Sequence, residues 1–362
     1  MSSIKFLEPS GSNLITEDMP NTGITNLTVS RDTAPWIYSN YPEGIGSFGN
    51  GLALADNGYY INQQRIKKGD AEIFYSHRND TGKTLKFRIH IYNCSATTVT
   101  VNCTNIGFSY DWELPETAVK DYFTKKGNSL TLKSGESGWL TPEYEITTIT
   151  AAGKMGTPFT GMIRLNTSND IIVTEYAYHN YNTINGTEKA YPFDTDSFVI
   201  TGVGIGNFIT FNHVQQSSEK TKVSALAQKP YIYAVNSYNP GQINVNELVP
   251  IHILGTNITA NAYNTGTNHK NYDDLGNWCA HNYHIIKFTN DTSKAATIYG
   301  YIGSNPAAGN TQVINRGGVI KSAELTSKKQ WKWCQVDLAA GESVQFDFQQ
   351  ILEMCIRDRS MP

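Results

Sequence analysis

Three stretches of the sequence bring together residue types that could do chemistry. GIGSFG, residues 44–49, fits GxGxxG, in which glycine amides at the start of a helix hold a pyrophosphate. That chemistry needs a buried strand before the glycines and a helix after them. Here WIYSNYPE precedes, and GNGLALADNGYY, with a further turn signal, follows, so the glycines read as a loop. GVGIGNF, residues 202–208, sits in strand-like sequence and fails in the same way. In CAHNYH, Cys279, His281 and His284 are thiolate and imidazole donors of the kind zinc takes. On a strand Cys279 and His281 share one side while His284 points away, so the three do not close on one ion and His284 reads as a core residue. Asp194 and Asp196 in FDTDSF, and Asp273 and Asp274 in NYDDLGN, offer carboxylate oxygens in turn-rich sequence, which makes them candidate calcium ligands.

Nucleophilic catalysis finds little support. No serine occupies a GxSxG elbow, the eight histidines are dispersed, and no catalytic residue is assigned. Of the five cysteines, Cys94 and Cys103 have opposite parity across an expected hairpin, whereas Cys279 and Cys334 are the candidate disulfide if their strands are neighbours. Aromatic residues carry the strongest binding signal. In KQWKWCQVDL strict alternation sends Lys332, Cys334, Val336 and Leu338 inward and puts Trp331 and Trp333 side by side on the other face, a flat platform suited to a sugar ring or a protein partner. Trp36 in WIYSNY, and Tyr176 and Tyr178 in EYAYHNY, offer similar material. Asn-x-Ser/Thr triplets occur at Asn26, Asn79, Asn93, Asn102, Asn166, Asn185, Asn257 and Asn290, as expected in a chain rich in these residues.

The elements that must position these residues are strands. In LKFRIHIY, Leu85, Phe87, Ile89 and Ile91 share one face and Lys86, Arg88, His90 and Tyr92 the other. After the turn NCSATT, TVTVNC resumes the alternation with Val99, Val101 and Cys103 inward, which reads as a hairpin. FTGMIRLNTSNDIIVTEYAY and QVDLAAGESVQFDF read as further strand pairs. ELPETAVKDYFTKKG is the exception: Pro115 suits a first turn, the apolar residues have helical spacing, and Gly127 suits a C-cap. IHIYNCSATTVTV from Ile89 and IKFTNDTSKAATI from Ile286 align without gaps, setting Asn93 over Asn290, as two related sandwich units would.

Composition sets limits on partners. The 362 residues suggest about two domains. Charged residues are 17% and the net charge is -3, so nothing marks a nucleic-acid or acidic-membrane surface. No apolar run approaches the roughly 20 residues of a spanning helix. A polar surface of Asn, Thr, Ser and Gly has an extracellular style. No signal peptide is visible in MSSIKFLEPSGSNLITED, and Met354–Pro362 resembles translated sequencing-adapter read-through, so native termini are expected to lie elsewhere.

IFYSHRNDTG (73–82), HILGTN (252–257), GNWCAHNYHIIKFTND (276–291) and VDLAAGESVQFDF (336–348) resemble a family of uncharacterised secreted or cell-surface bacterial β-sandwich proteins. The resemblance implies a secreted β architecture and carries no active site to transfer.

The expectation is an all-β protein of two tandem β-sandwich-like units with one short connecting helix. Residues 1–40 are an extended segment, 41–220 the first unit, 221–353 the second, and 354–362 not native. The expected role is an extracellular or cell-surface non-enzymatic binding or structural protein that contacts glycan or cell-wall polymer through aromatic faces. The alternatives are a glycan-active hydrolase with paired carboxylates about 5 to 9.5 Å apart, and a subunit of an extracellular assembly joined through edge strands.

Overall fold

The structure is a computed structural model, and it describes residues 3–16, 28–31, 34–39, 44–46, 59–110, 115–147, 156–179, 208–210, 214–226, 232–234, 240–243, 281–303, 310–325 and 329–352. The all-β expectation holds: the described strands form four sheets, with Pro115–Thr124 as the connecting helix. The chain forms two units, a mid-chain unit (residues 33–212 and 259–272) and a terminal unit (1–32, 213–258 and 273–362). The first residues are therefore not a separate extended segment. Ser3–Phe6 and Leu14–Thr16 both pair with Lys329–Leu338, and Thr28–Arg31 pairs with Val214–Lys222. Backbone groups along a sheet edge need partners, and the start of the chain supplies them. Residues 354–362 lie outside the described residues.

In the mid-chain unit a seven-stranded sheet has at its centre the strands Val99–Tyr110, Thr157–Thr167 and Gly69–Asp80, and a five-stranded sheet has Leu85–Tyr92 and Ile171–Tyr178. Their apolar faces share one core: Ile73, Val99, Val101, Ile163 and Leu165 from the first sheet, Leu85, Phe87, Ile89, Ile91 and Val173 from the second. The period-2 reading of LKFRIHIY and TVTVNC is thus correct residue by residue. The helix packs on the other face of the seven-stranded sheet, where Gly107 admits it: a Cβ there would lie 1.7 Å from the carbonyl oxygen of Ala118. Gly127 lies beyond the helix end at Thr124. Its constraint is the thiol of Cys103, 2.4 Å from where its Cβ would be, and not a C-cap.

In the terminal unit two six-stranded sheets share a core of Ile298, Trp331, Trp333, Cys334 and Val336 from one and Ile286, Phe288, Ile314, Phe346 and Phe348 from the other. Strict alternation misplaced the tryptophans. Between Ala296–Gly303 and Lys329–Leu338 the register pairs Gly300 with Cys334 and then Tyr301 with Lys332, so Trp333 is the extra residue of a β-bulge. The bulge reverses parity along the strand. Trp331 and Trp333 therefore fall on the same inward face as Cys334, Val336 and Leu338, and both are 0% exposed. Gly300 makes the room, since a Cβ there would lie 3.1 Å from Trp333 Nε1 and 2.5 Å from Cys334 Sγ.

The expected hairpin and the two further strand pairs are all corners that cross from one sheet to the other. Leu85–Tyr92 lies in the five-stranded sheet and Val99–Tyr110 in the seven-stranded one; Thr157–Thr167 and Ile171–Tyr178 are divided in the same way, and so are Lys329–Leu338 and Ser343–Leu352 of the terminal unit. The aligned repeat is one such corner, present twice. Asn93 Nδ2 donates to the carbonyls of Thr97 (2.8 Å) and Leu132 (2.9 Å), and its Oδ1 accepts from the amide and hydroxyl of Ser95. Asn290 Nδ2 donates to Lys294 (2.8 Å) and Ala339 (2.9 Å), and its Oδ1 accepts from the amide and hydroxyl of Thr292. Each corner meets a second turn, LKSGES at 132–137 and LAAGES at 338–343. Asn93 N donates to Glu136 O, as Asn290 N does to Glu342 O. The two glutamates take the amides of Lys133 and Ala339, both at 2.8 Å, while Gly135 and Gly341 adopt φ of 74° and 72°.

Candidate functional site

Among the described residues, a partly exposed group of aromatic and charged side chains lies on the outer face of the five-stranded sheet. Alternation along Leu85–Tyr92 turns Lys86, Arg88 and His90 away from the core, and pairing sets Tyr178 beside Lys86, Tyr176 beside Arg88 and Trp139 beside His90. The Trp139 ring is half-buried, with the Arg88 guanidinium 4.2 Å from its centroid and His90 and Tyr176 against it edge-on at 4.9 and 5.5 Å. Glu143 accepts from Lys86 Nζ and from the Tyr178 hydroxyl, both at 2.7 Å. Partial burial pushes the Glu143 carboxyl up, but these two hydrogen bonds outweigh it and leave the group below its ordinary value. Burial, aided by the Arg88 charge, brings His90 down to about 4, so the imidazole is neutral at pH 7. The edge thus offers a cation, a carboxylate and an indole rim to a hydroxyl-rich ligand.

A second polar group lies inside the mid-chain sandwich. Ser39 Oγ is 3.2 Å from His77 Nε2, and Glu175 Oε2 is 3.9 Å from the same nitrogen. The residue types match an acyl-transfer triad, but a triad needs the acid on the opposite ring nitrogen from the serine. All three are at most 1% exposed, which keeps a substrate away. Nearby, Tyr75 is pushed well above its ordinary value, first by burial and then by the charges of Tyr144 and Glu175. The arrangement is a buried Ser39–His77 hydrogen bond with the Glu175 carboxylate near the ring, inside the fold.

Most of the sequence-derived candidates lie in the interior. Trp331, Trp333 and Trp36 are fully buried, and Phe6 stacks on Trp331 with centroids 6.1 Å apart, so no exposed platform forms from them. Tyr176 and Tyr178 are buried too, yet they floor the outer face just described; Trp139 and Arg88, which alternation alone did not single out, complete it. Cys334 is a free buried thiol, raised by burial, so it is not half of a disulfide; Cys279 lies outside the described residues. Asp194, Asp196, Asp273 and Asp274 also lie outside them. Among the described residues no three His, Cys, Asp or Glu side chains could hold a metal. His284 is a core histidine as expected, 3.1 Å from Gln350 Oε1, and burial takes it down to about 3. Gly44–Gly46 is a short strand parallel to Arg78–Asp80 and not a phosphate loop. Asp70 and Glu72 both meet Arg164, and Glu143 and Glu145 both meet Lys86. No described helix is long and apolar enough to cross a membrane.

No family model and no curated protein matches the chain. Among solved structures it is similar to the CUB1-EGF-CUB2 domain of human MASP-1/3, at 8% identity over 80% of this chain and 99% of that one, with a TM-score of 0.12. It is similar to the coconut allergen cocosin at 8% identity, 84% and 89% coverage and a TM-score of 0.10. For procruciferin, an 11S globulin from Brassica napus, the values are 7%, 93%, 88% and 0.09. Likenesses this faint carry no argument about fold or function.

Proposed function

We propose that the protein is a non-enzymatic binding or structural module of the extracellular space or cell surface, and that it contacts glycan or cell-wall polymer on the outer face of the five-stranded sheet. The observation that supports this reading is the grouping there of Trp139, Arg88, Lys86 and Glu143, partly exposed, over the buried rings of Tyr176 and Tyr178. An indole edge provides apolar contact for a sugar ring, while an ammonium and a carboxylate side by side bind its hydroxyls as donor and acceptor. Calcium held by Asp194 and Asp196, or by Asp273 and Asp274, belongs to the same reading, and a chelator would then lower the melting temperature.

A glycan array probed with the intact chain and with Trp139→Ala and Lys86→Ala variants tests the reading. The folded variants are expected to lose binding by about tenfold or more, the loss that roughly 1.4 kcal/mol represents. Undiminished binding by variants with native circular dichroism would overturn it.

A further inference from the structure

The corner built on Asn93 and Asn290 occurs a third time, at Asn79. Its Nδ2 donates to Lys83 O at 2.9 Å and Ile146 O at 2.8 Å, and its Oδ1 accepts from the amide and hydroxyl of Thr81 at 3.1 and 2.7 Å. In all three the asparagine ends a strand in one sheet and the chain continues in the facing sheet. One amide hydrogen closes the turn on the residue four positions on. The other reaches the end of a strand that neighbours the outgoing one: Ile146 beside Leu85–Tyr92, Leu132 beside Val99–Tyr110, and Leu338–Ala339 beside Ala296–Gly303. The hydroxyl two residues on fills the side-chain carbonyl. All three asparagines are 0% exposed.

Each of these corners is spelled Asn-x-Ser/Thr, which is also the acceptor sequence for N-linked glycan. We propose that at Asn79, Asn93 and Asn290 this spelling is a sheet-crossing device that excludes glycan from the folded protein, and that Asn102 is the described triplet open to modification. Glycan transfer forms a bond from Nδ2 to the first carbon of the sugar; the sugar–pyrophosphate bond of the lipid-linked donor breaks, the pyrophosphate carrier leaves, and Nδ2 gives up one proton. At a corner that proton is one of the two holding the turn and the neighbouring strand, and the glycan would occupy a site closed to solvent. Modification and folding therefore compete for the same atom. Asn102 has an exposed side chain on the strand Val99–Tyr110, with Thr104 also exposed. Asn166 is intermediate: it is half-buried, and its Nδ2 donates to Asp70 Oδ1 at 2.6 Å.

The test is to secrete the full chain behind a leader from a glycosylating eukaryotic cell, separate folded monomer from aggregate, and map glycan site by site by mass spectrometry after enzymatic release in heavy-oxygen water. Folded monomer is expected to carry glycan at Asn102 and none at the three corners, with corner glycan confined to aggregate. Blocking transfer of the lipid-linked oligosaccharide is expected to raise the folded yield several-fold. Folded monomer bearing glycan at Asn79, Asn93 or Asn290 would overturn the proposal, as would Asn102 unmodified in every fraction or a folded yield indifferent to the block.

Discussion

The side-chain amide of Asn93 reaches the carbonyl oxygen of Leu132 at 2.9 Å, joining the end of one sheet's strand to the end of a strand in the facing sheet. Asn290 makes the same junction with Ala339 at 2.9 Å in the other unit. A sandwich corner has to satisfy backbone groups that no ladder reaches, and a buried asparagine with two donors and a two-lone-pair acceptor does so in one residue.

Asn93→Ala and Asn290→Ala should each destabilise their own unit by about 1 to 3 kcal/mol, because two carbonyls and an amide lose their side-chain partner at once. Aspartate should be no remedy, since an ionised carboxylate cannot donate to carbonyls. Ser95→Thr, which keeps the hydroxyl and installs the threonine found at the other two corners, should stay within about 0.5 kcal/mol of the parent. Hydrogen exchange resolved by unit during urea unfolding measures all of these; an Asn93→Ala chain as protected as the parent would contradict the role given to the corner.

Trp331→Ala and Trp333→Ala should behave as core truncations, costing the terminal unit about 3 to 5 kcal/mol. Any glycan binding per folded molecule should be unaffected, because neither ring reaches solvent. Denaturant midpoints and array binding on the same preparations separate these effects.

Gly107→Ala should loosen the connecting helix. The new methyl would lie 1.7 Å from Ala118 O, which is backbone and cannot rotate away. Helix and sheet must part, at a cost of about 1 to 3 kcal/mol or more. Faster proteolysis within Pro115–Thr124 is the expected signature.

Acid should weaken both units through buried histidines. Burial holds folded His284 near 3 and folded His90 near 4, against an ordinary value of 6.5. Between those values the unfolded chain binds protons that the folded chain does not, so stability rises with pH. Stability is therefore complete above about pH 6.5 and is lost as pH falls toward 4 in the mid-chain unit and toward 3 in the terminal unit. His284→Gln should flatten the dependence of the terminal unit alone, as urea midpoints across this range would show.

The alternation of Leu85, Phe87, Ile89 and Ile91 with Lys86, Arg88, His90 and Tyr92 determined which faces are buried, because a pleated strand sends successive side chains to opposite sides whatever it pairs with. Pro115 and the apolar spacing after it determined the helix for an equally local reason. The outer face was half legible: Tyr176 and Tyr178 stood out as aromatics, while Trp139 and Arg88 acquired meaning only when pairing brought Ser137–Trp139 beside Leu85–Tyr92. Tertiary structure alone decided whether Asn93 turns a chain back along its own sheet or across to the other, since both turns use the same residues and differ only in the partner strand. It also decided the fate of Trp331 and Trp333. A single extra residue, Trp333, reverses the parity of everything on one side of it, and the residue whose missing side chain makes room for its ring, Gly300, lies on a different strand.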